Sequence, residues 1–521
     1  MRYNIIGLFK RLAGLLVMAV LIPALVSCDD FLDEESHHSL SDNNHWATLE
    51  DARGGLIGIY GLMRSALAEN NTQWACGDLR FGDFTANSRK DLNAIIHNNL
   101  DLNIATIDDI SDWRRFYAVV NAAAVFIDNV GNVEKNDQAY SEEAMKWDIA
   151  QARTLRALSY FYMVRIWGDV PLITQAYDNG SFPNMTRTPA TQVLSYVKNE
   201  LTAAAKDLPY AFGTSNNQYY RQDPSFWQGV VFNKLSAYAI LAHVCAWSGN
   251  YADAETYSGF VCDNYSKLSI KQMVMAVSDI VDPAGLFNGT SGGDDRRLVS
   301  LNTAIRNGEF EATQSGHLEE WTLCTPYTPK AQPDLYVSRD SLIAIYPDAN
   351  DQRCGIDTTT MKYYTNYVDM SGAVPVFIKS RVIQDGKSEN GNFAVYGSSI
   401  LFSRLEDMLL LHAEALAVLN RTDEALQDLN ELRSNRGVTK VSFNRDFGGN
   451  KNRLIDFIFA ERRRELIGEG HRWYDLIRRQ RLLKDNPGLL ELIDKGGIYW
   501  PVSEKVLHNN PSLNQNTYWT E

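Results

Sequence analysis

Residues 404–432 read RLEDMLLLHAEALAVLNRTDEALQDLNEL. Leu405, Met408, Leu409, His412, Leu416 and Leu419 recur three or four apart, the spacing of one face of an α-helix. Asn420-Arg421 interrupts the pattern, and Thr422 has the chemistry of an N-cap. Ala425, Leu426, Leu429 and Leu432 then form a second apolar stripe. The stretch predicts two helices joined by a tight turn.

An earlier stretch repeats the pattern. Leu235, Tyr238, Ala239, Ala242 and Ala246 share one face, Gly249-Asn250 turns, and Tyr251, Ala254 and Tyr257 begin the return. Ala246 and Ala254 match Ala417 and Ala425 in spacing, so small residues let each helix pair approach closely. Both hairpins resemble degenerate tetratricopeptide repeats, too far apart in sequence for a simple tandem array. Further helices are predicted at about 112–129, 141–167, 190–207, 453–466 and 471–483. Gly168-Asp169-Val170-Pro171 ends one of them and continues extended, because the residue before proline avoids the helical region. From about 264 to 402 the texture changes to Gly, Asn, Asp, Thr and Pro with short apolar runs such as Val374 to Ile378. This predicts loops, short strands and a few short helices. The expected fold is mainly α: a helical scaffold over about 46–263 and 403–521, with a loop-rich, ligand-binding insertion between.

The chain has 521 residues, 45% hydrophobic and 22% charged, which is globular composition. Its formal charge of −14 with no basic tract excludes the cationic footprint that nucleic acid requires. Polybasic adhesion to an anionic membrane is disfavoured for the same reason. Aromatic residues are plentiful, with 11 Trp, 25 Tyr and 21 Phe; they serve cores and also make flat ligand platforms.

Residues 1–27 read as a signal peptide. Arg2, Lys10 and Arg11 precede an uncharged apolar stretch from Leu12 to Val26, too short to span a bilayer comfortably. No later segment is expected to span. Leu25-Val26-Ser27-Cys28 is similar to a lipobox, which implies lipidation of Cys28 and cleavage before it. The acidic run Asp29 to Glu35 follows, in a tether over 28–45. The remaining cysteines, Cys76, Cys245, Cys262, Cys324 and Cys354, form no CxxC pair and no zinc pattern.

Five collinear segments resemble the SusD/RagB family of Bacteroidetes nutrient-binding lipoproteins. They are Cys28-Asp29-Asp30-Phe31-Leu32-Asp33; Ala152 to Tyr162 (ARTLRALSYFY), continuing through Arg165 to Leu172; Arg404 to Ala415 (RLEDMLLLHAEA); Glu461 to Leu466 (ERRREL) with Glu469 to Leu476 (EGHRWYDL); and Asn510 to Asn516 (NPSLNQN). The resemblance implies an outer-membrane lipoprotein exposed on the cell surface, with a tetratricopeptide-like scaffold. Such proteins sit as a lid on a SusC-like TonB-dependent transporter. They capture an oligosaccharide, or in some members a peptide, for import. A protein-interaction scaffold without a small ligand is the reading from another class.

The cluster Glu461 to Glu465 with His471 to Asp475 has the composition of a catalytic site. Its helical spacing, with arginines between the glutamates, points instead to charge pairing within and between helices. Arg153, Arg156 and Arg165 are read as helix bridges. No HExxH helix, phosphate loop or defensible Cys–His arrangement is present, so neither an enzyme nor a cofactor is expected. The candidate ligand contacts lie in loops. In ENNTQWACGDLRFGDFTANSRK (69–90), Trp74 stands among polar residues, with Asp78 and Arg80 following. An indole can cover the apolar face of a sugar ring while Arg and Asp bind its hydroxyl rim; the competing reading packs Trp74 inward and pairs Asp78 with Arg80. In HLEEWTLCTPYTP (317–329), Trp321 and Tyr327 suit a shallow platform. The family resemblance implies ligand contacts in both regions. Asn288, in the Gly-rich loop before Asp294-Asp295, is a further candidate; that loop does not match an EF-hand, and no metal is expected.

Overall fold

The computed structural model describes residues 46–177, 182–288, 294–302, 316–357, 359–385 and 394–520. The signal peptide, Cys28 and the acidic tether lie outside the described residues. Thr48–Glu521 forms one unit. Ten of its helices have twelve residues or more: α1 (Leu49–Ala68), α2 (Arg114–Asn136), α3 (Glu142–Trp167), α4 (Ala190–Asp207), α5 (Lys234–Trp247), α6 (Tyr251–Asn264), α7 (Leu405–Val418), α8 (Thr422–Asn435), α9 (Lys451–Leu466) and α10 (Arg472–Leu483). Among the described residues strands are few and short, in five two-stranded ribbons, and the fold is mainly α as expected.

Local chemistry sets the helix starts. Thr48 and Asp51 form a capping box before α1, and Asn233 and Ser236 form another before α5. Ser141 and Asn450 cap α3 and α9. Thr422 does not act as a cap: Arg421 holds that position and Thr422 opens the helix. Leu419, placed on the inward face by periodicity, is 36% exposed because α7 has already ended.

From α1 to α8 each helix packs against the next. The two hairpins are therefore neighbours: α6 lies against α7 although about 140 residues separate them. Ala246, Ala254, Ala417 and Ala425 are all buried at the helix crossings. The chain between α6 and α7 leaves this stack and returns to it.

By length and mean hydropathy, Ala105–Asn136 could cross a membrane, contrary to the expectation that no later segment could. Its helix α2 lies between α1 and α3, with Phe116, Val120, Ala123 and Val130 buried, as in a core helix of a bundle. Arg156 bridges α3 to Glu200 on α4, and Arg165 reaches the rings of Phe161, Tyr162, Phe402 and Tyr474 at 4.1–5.3 Å. All five described cysteines are free thiols.

The charged cluster of α9 and α10 is buried and paired. Glu465 accepts from Arg353 at 3.1 Å, Arg404 at 2.9 Å and Arg436 at 2.7 Å. Glu461 accepts from Arg353 at 2.6 Å and Arg433 at 2.7 Å. Glu469 accepts from Lys379 at 2.5 Å and Arg404 at 3.0 Å. Arg462 joins Asp407 to Asp475. His243 and His471 stack beside them at 5.6 Å, and His243 bonds Asp407. Burial alone would raise the Glu461 pKa, but the Arg353, Arg464 and Arg433 guanidiniums overcome it and hold the carboxyl at about 2.

A depressed carboxyl stabilises the fold above its unfolded pKa, near 4.5, and that stabilisation is lost as pH falls toward 2. Glu461→Gln should therefore cost about 3–5 kcal/mol at neutral pH, since the arginines are left uncompensated. The gap between wild type and variant should narrow from pH 4.5 downward, as urea unfolding over a pH series will show.

Candidate ligand-binding site

The early loop turns sharply before Trp74. Asn70 and Asn71 adopt φ of 50° and 51°, a short helical turn follows, and Ala75–Leu79 forms a π-helical turn. This winding directs the predicted residues inward. Trp74 is 3% exposed and donates its indole N–H to the Gly468 carbonyl at 3.1 Å. Asp78 accepts the Gly470 N–H at 2.6 Å, and burial pushes its carboxyl up to about 7. Arg80 is fully buried; it donates to the Gly497 and Ile498 carbonyls at 2.6 Å and lies over the Trp473 ring. It does not pair with Asp78. Gly77 makes this packing possible, because a Cβ there would stand 2.1 Å from the Gly470 oxygen.

Trp321 also departs from expectation. It sits on the single turn Glu319–Thr322 and is 5% exposed, so it offers no open face. Asn288 is buried, donating its amide to the Pro283 carbonyl at 2.7 Å. Asp294 closes on Arg296 at 2.7 Å, and Asp295 accepts the Gly229 N–H. Residues 289–293 of that loop lie outside the described residues.

Tyr327 alone among the predicted contacts stays half-exposed, and the structure gives it a companion. Tyr327 and Tyr396 pack, with Ile383, against one small apolar cluster of Leu323, Cys324, Val376 and Ile378. Two ribbons set the geometry. Val368–Asp369 pairs with Val376–Phe377, and Ile383–Asp385 pairs with Val395–Tyr396, placing Tyr396 opposite Ile383. The Tyr327 hydroxyl donates to Asp369 Oδ2 at 2.8 Å, and the Arg381 guanidinium lies 4.8 Å from the ring centre. Burial and the Asp369 bond push the Tyr327 hydroxyl up to about 12, so it remains a donor at neutral pH.

The rim of this surface is polar. Glu320 is half-buried, and burial with the neighbouring Glu319 raises its carboxyl to about 8. Glu319 lies deeper, raised by burial to about 7, and accepts the Ser398 hydroxyl at 2.9 Å. Lys330 donates to the Glu320 carbonyl and pairs with Asp334, both at 2.8 Å. The arrangement offers two partly open aromatic rings, a guanidinium and a carboxyl with a raised pKa within one neighbourhood. Such a mixture binds a flat apolar face and its hydroxyl edge together.

The sequence reading does not pick out Tyr396 or Arg381. The available signal is an aromatic beside glycine in a short strand, Ala394-Val395-Tyr396-Gly397, within loop-rich chain.

A crystal structure of a SusD superfamily protein from Bacteroides thetaiotaomicron matches with a TM-score of 0.84 and 51% identity, over 91% of this chain and 99% of that one. The chain belongs to the SusD superfamily. Family models agree with this. The SusD family model matches residues 349–489, and one described as starch-binding associating with outer membrane matches 30–245. A SusD-like protein of Formosa agariphila is 26% identical over 98% of this chain and 99% of its own length. A second B. thetaiotaomicron structure, a SusD homolog, shares the fold with a TM-score of 0.70 at 23% identity, covering 91% of this chain and 98% of its own. The resemblance carried by the five sequence segments is borne out.

Trp74 is a core residue of this SusD superfamily member. Trp74→Ala should lower stability by about 3–5 kcal/mol, the usual cost of emptying a buried aromatic site. Trp74→Phe should retain most of that stability. Thermal melts with circular dichroism separate the two.

Proposed function

We propose that this SusD superfamily protein captures oligosaccharides on the Tyr327–Tyr396 surface and delivers them to a SusC-like TonB-dependent transporter. It is held at the outer membrane, on the cell surface, by a lipid on Cys28. The observation that carries the reading is the pair of half-exposed tyrosines on a shared apolar base, edged by Arg381 and Glu320. The match to the model described as starch-binding associating with outer membrane supports both ligand class and location.

The role is binding, with no bond made or broken. Glu319 and Glu320 are adjacent on one short turn, and Glu319 is committed to Ser398 and the Val382 N–H. Stacking and hydrogen bonds on an open surface leave much of a ligand in water, which suits capture followed by release. A peptide is the alternative cargo; it requires an apolar pocket rather than two rings with a polar edge.

Tyr327→Ala and Tyr396→Ala should each weaken oligosaccharide binding about 5- to 10-fold, the worth of roughly 1 kcal/mol of ring contact. The double variant should bind more weakly still, with the melting temperature little changed. Calorimetry or affinity electrophoresis against a glycan panel, using protein that begins after Cys28, reads this directly. Binding unaffected in the double variant would place the site elsewhere; a response to peptides alone would favour the alternative cargo. Cys28→Ser should abolish incorporation of labelled fatty acid in cells.

A further inference from the structure

The chain carries an excess of carboxylates, and many of its partly exposed arginines find them, while Arg115, Arg187 and Arg339 bond backbone carbonyls instead. Arg89 closes on Asp91 at 2.5 Å, Arg114 on Asp112 at 2.5 Å and Arg296 on Asp294 at 2.7 Å. Arg381 does otherwise. It is half-exposed, and no Asp or Glu among the described residues comes within 4.0 Å of its guanidinium. The nearby acid is Asp369, and both of its oxygens are committed: Oδ2 accepts the Tyr327 hydroxyl at 2.8 Å and Oδ1 accepts the Ser371 N–H at 2.9 Å. Arg381 is nonetheless held in place. Its guanidinium stacks over Tyr327, and its backbone N–H bonds the Ile378 carbonyl at 3.1 Å. An ordered guanidinium with donors to spare, beside an aromatic platform, is the arrangement that recognises carboxylate or sulfate oxygens.

We infer that the oligosaccharide captured on this surface is anionic, and that Arg381 receives its uronate carboxylate or sulfate group while Tyr327 and Tyr396 hold the ring faces. The inference rests on the glycan-platform reading and adds the charge of the ligand to it. The other platform acid opposes it little: burial and the neighbouring Glu319 raise the Glu320 carboxyl to about 8, which favours its uncharged form at neutral pH. Lys330 is engaged by Asp334, and Arg339 by the Met370 and Gly372 carbonyls.

The test is calorimetry of the mature chain with paired probes: trigalacturonate against its carboxyl-reduced trisaccharide, a sulfated carrageenan tetrasaccharide against its desulfated form, and uncharged maltotriose. An array of uronate, sulfated and neutral glycans widens the panel. The anionic member of a pair should bind, with an affinity that falls as salt rises. Arg381→Gln should reduce that affinity about 10- to 100-fold, the worth of a charge-assisted hydrogen bond. Arg381→Lys should recover part of it, and binding of neutral sugars should fall much less than binding of anionic ones. Preference for the carboxylate or the sulfate pair tells which anion is read. Neutral and anionic partners bound equally, or an Arg381→Gln effect of the same size on both, overturns the inference, while the platform stands if Tyr327→Ala and Tyr396→Ala still weaken binding. Absence of binding by every glycan overturns both.

Discussion

Glu461, Glu465 and Glu469 stand four residues apart, are each almost fully buried, and are each met by cations from elsewhere in the chain. Arg353, Lys379, Arg404, Arg433 and Arg436 converge on them from four separate stretches. Burying so many charges costs several kcal/mol per ion, and the cost is offset only when each carboxylate finds its partners in good geometry. Relative position is therefore sharply defined: a shift that breaks one pair leaves an uncompensated charge in the interior. Three of the cations, Arg353, Lys379 and Arg404, come from the chain between α6 and α7. The network thus fixes the returning segment against the helical stack.

The turn after α9 extends the same device to the backbone. Trp74 donates to the Gly468 carbonyl, Gln73 to that of Glu469, Lys379 to that of Ile467, and Asp78 accepts from Gly470. Gly468 has φ of +77°, and a Cβ there would stand 2.5 Å from the Phe377 ring. Phe377 is paired in the ribbon that carries Asp369, so the turn is two contacts away from Tyr327. The proposed ligand surface, made of short ribbons, acquires its rigidity from this interior. Preorganised rings and a fixed guanidinium then lose little entropy on binding.

Periodicity made the helices legible. The expected spans at 141–167, 190–207 and 405–419 fall within a residue or so of the observed ones, because apolar stripes of that length admit little else. The charge-paired reading of Glu461 to Asp475 followed from helical spacing alone. What the sequence hid was contact across distance. Nothing local says that α6 and α7 are neighbours, or that Tyr396 shares a base with Tyr327. The choice of Trp74 failed for a physical reason: its neighbours Asn71, Thr72 and Gln73 are polar yet buried, with the Asn71 oxygen, the Thr72 hydroxyl and the Gln73 amide hydrogen-bonded inside the protein. Polarity of neighbours signals exposure only when no interior partner exists.

Membership of the SusD superfamily supplies the fold; the proposed ligand surface lies where the insertion gathers its rings and charges. Hydrogen–deuterium exchange with and without a bound oligosaccharide tests that placement most directly. The account predicts new protection in residues 316–330, 367–383 and 394–399, and none in 69–80, whose backbone already lies in buried helical turns. Protection confined to 69–80, or spread over the helical stack with the insertion unchanged, would contradict it.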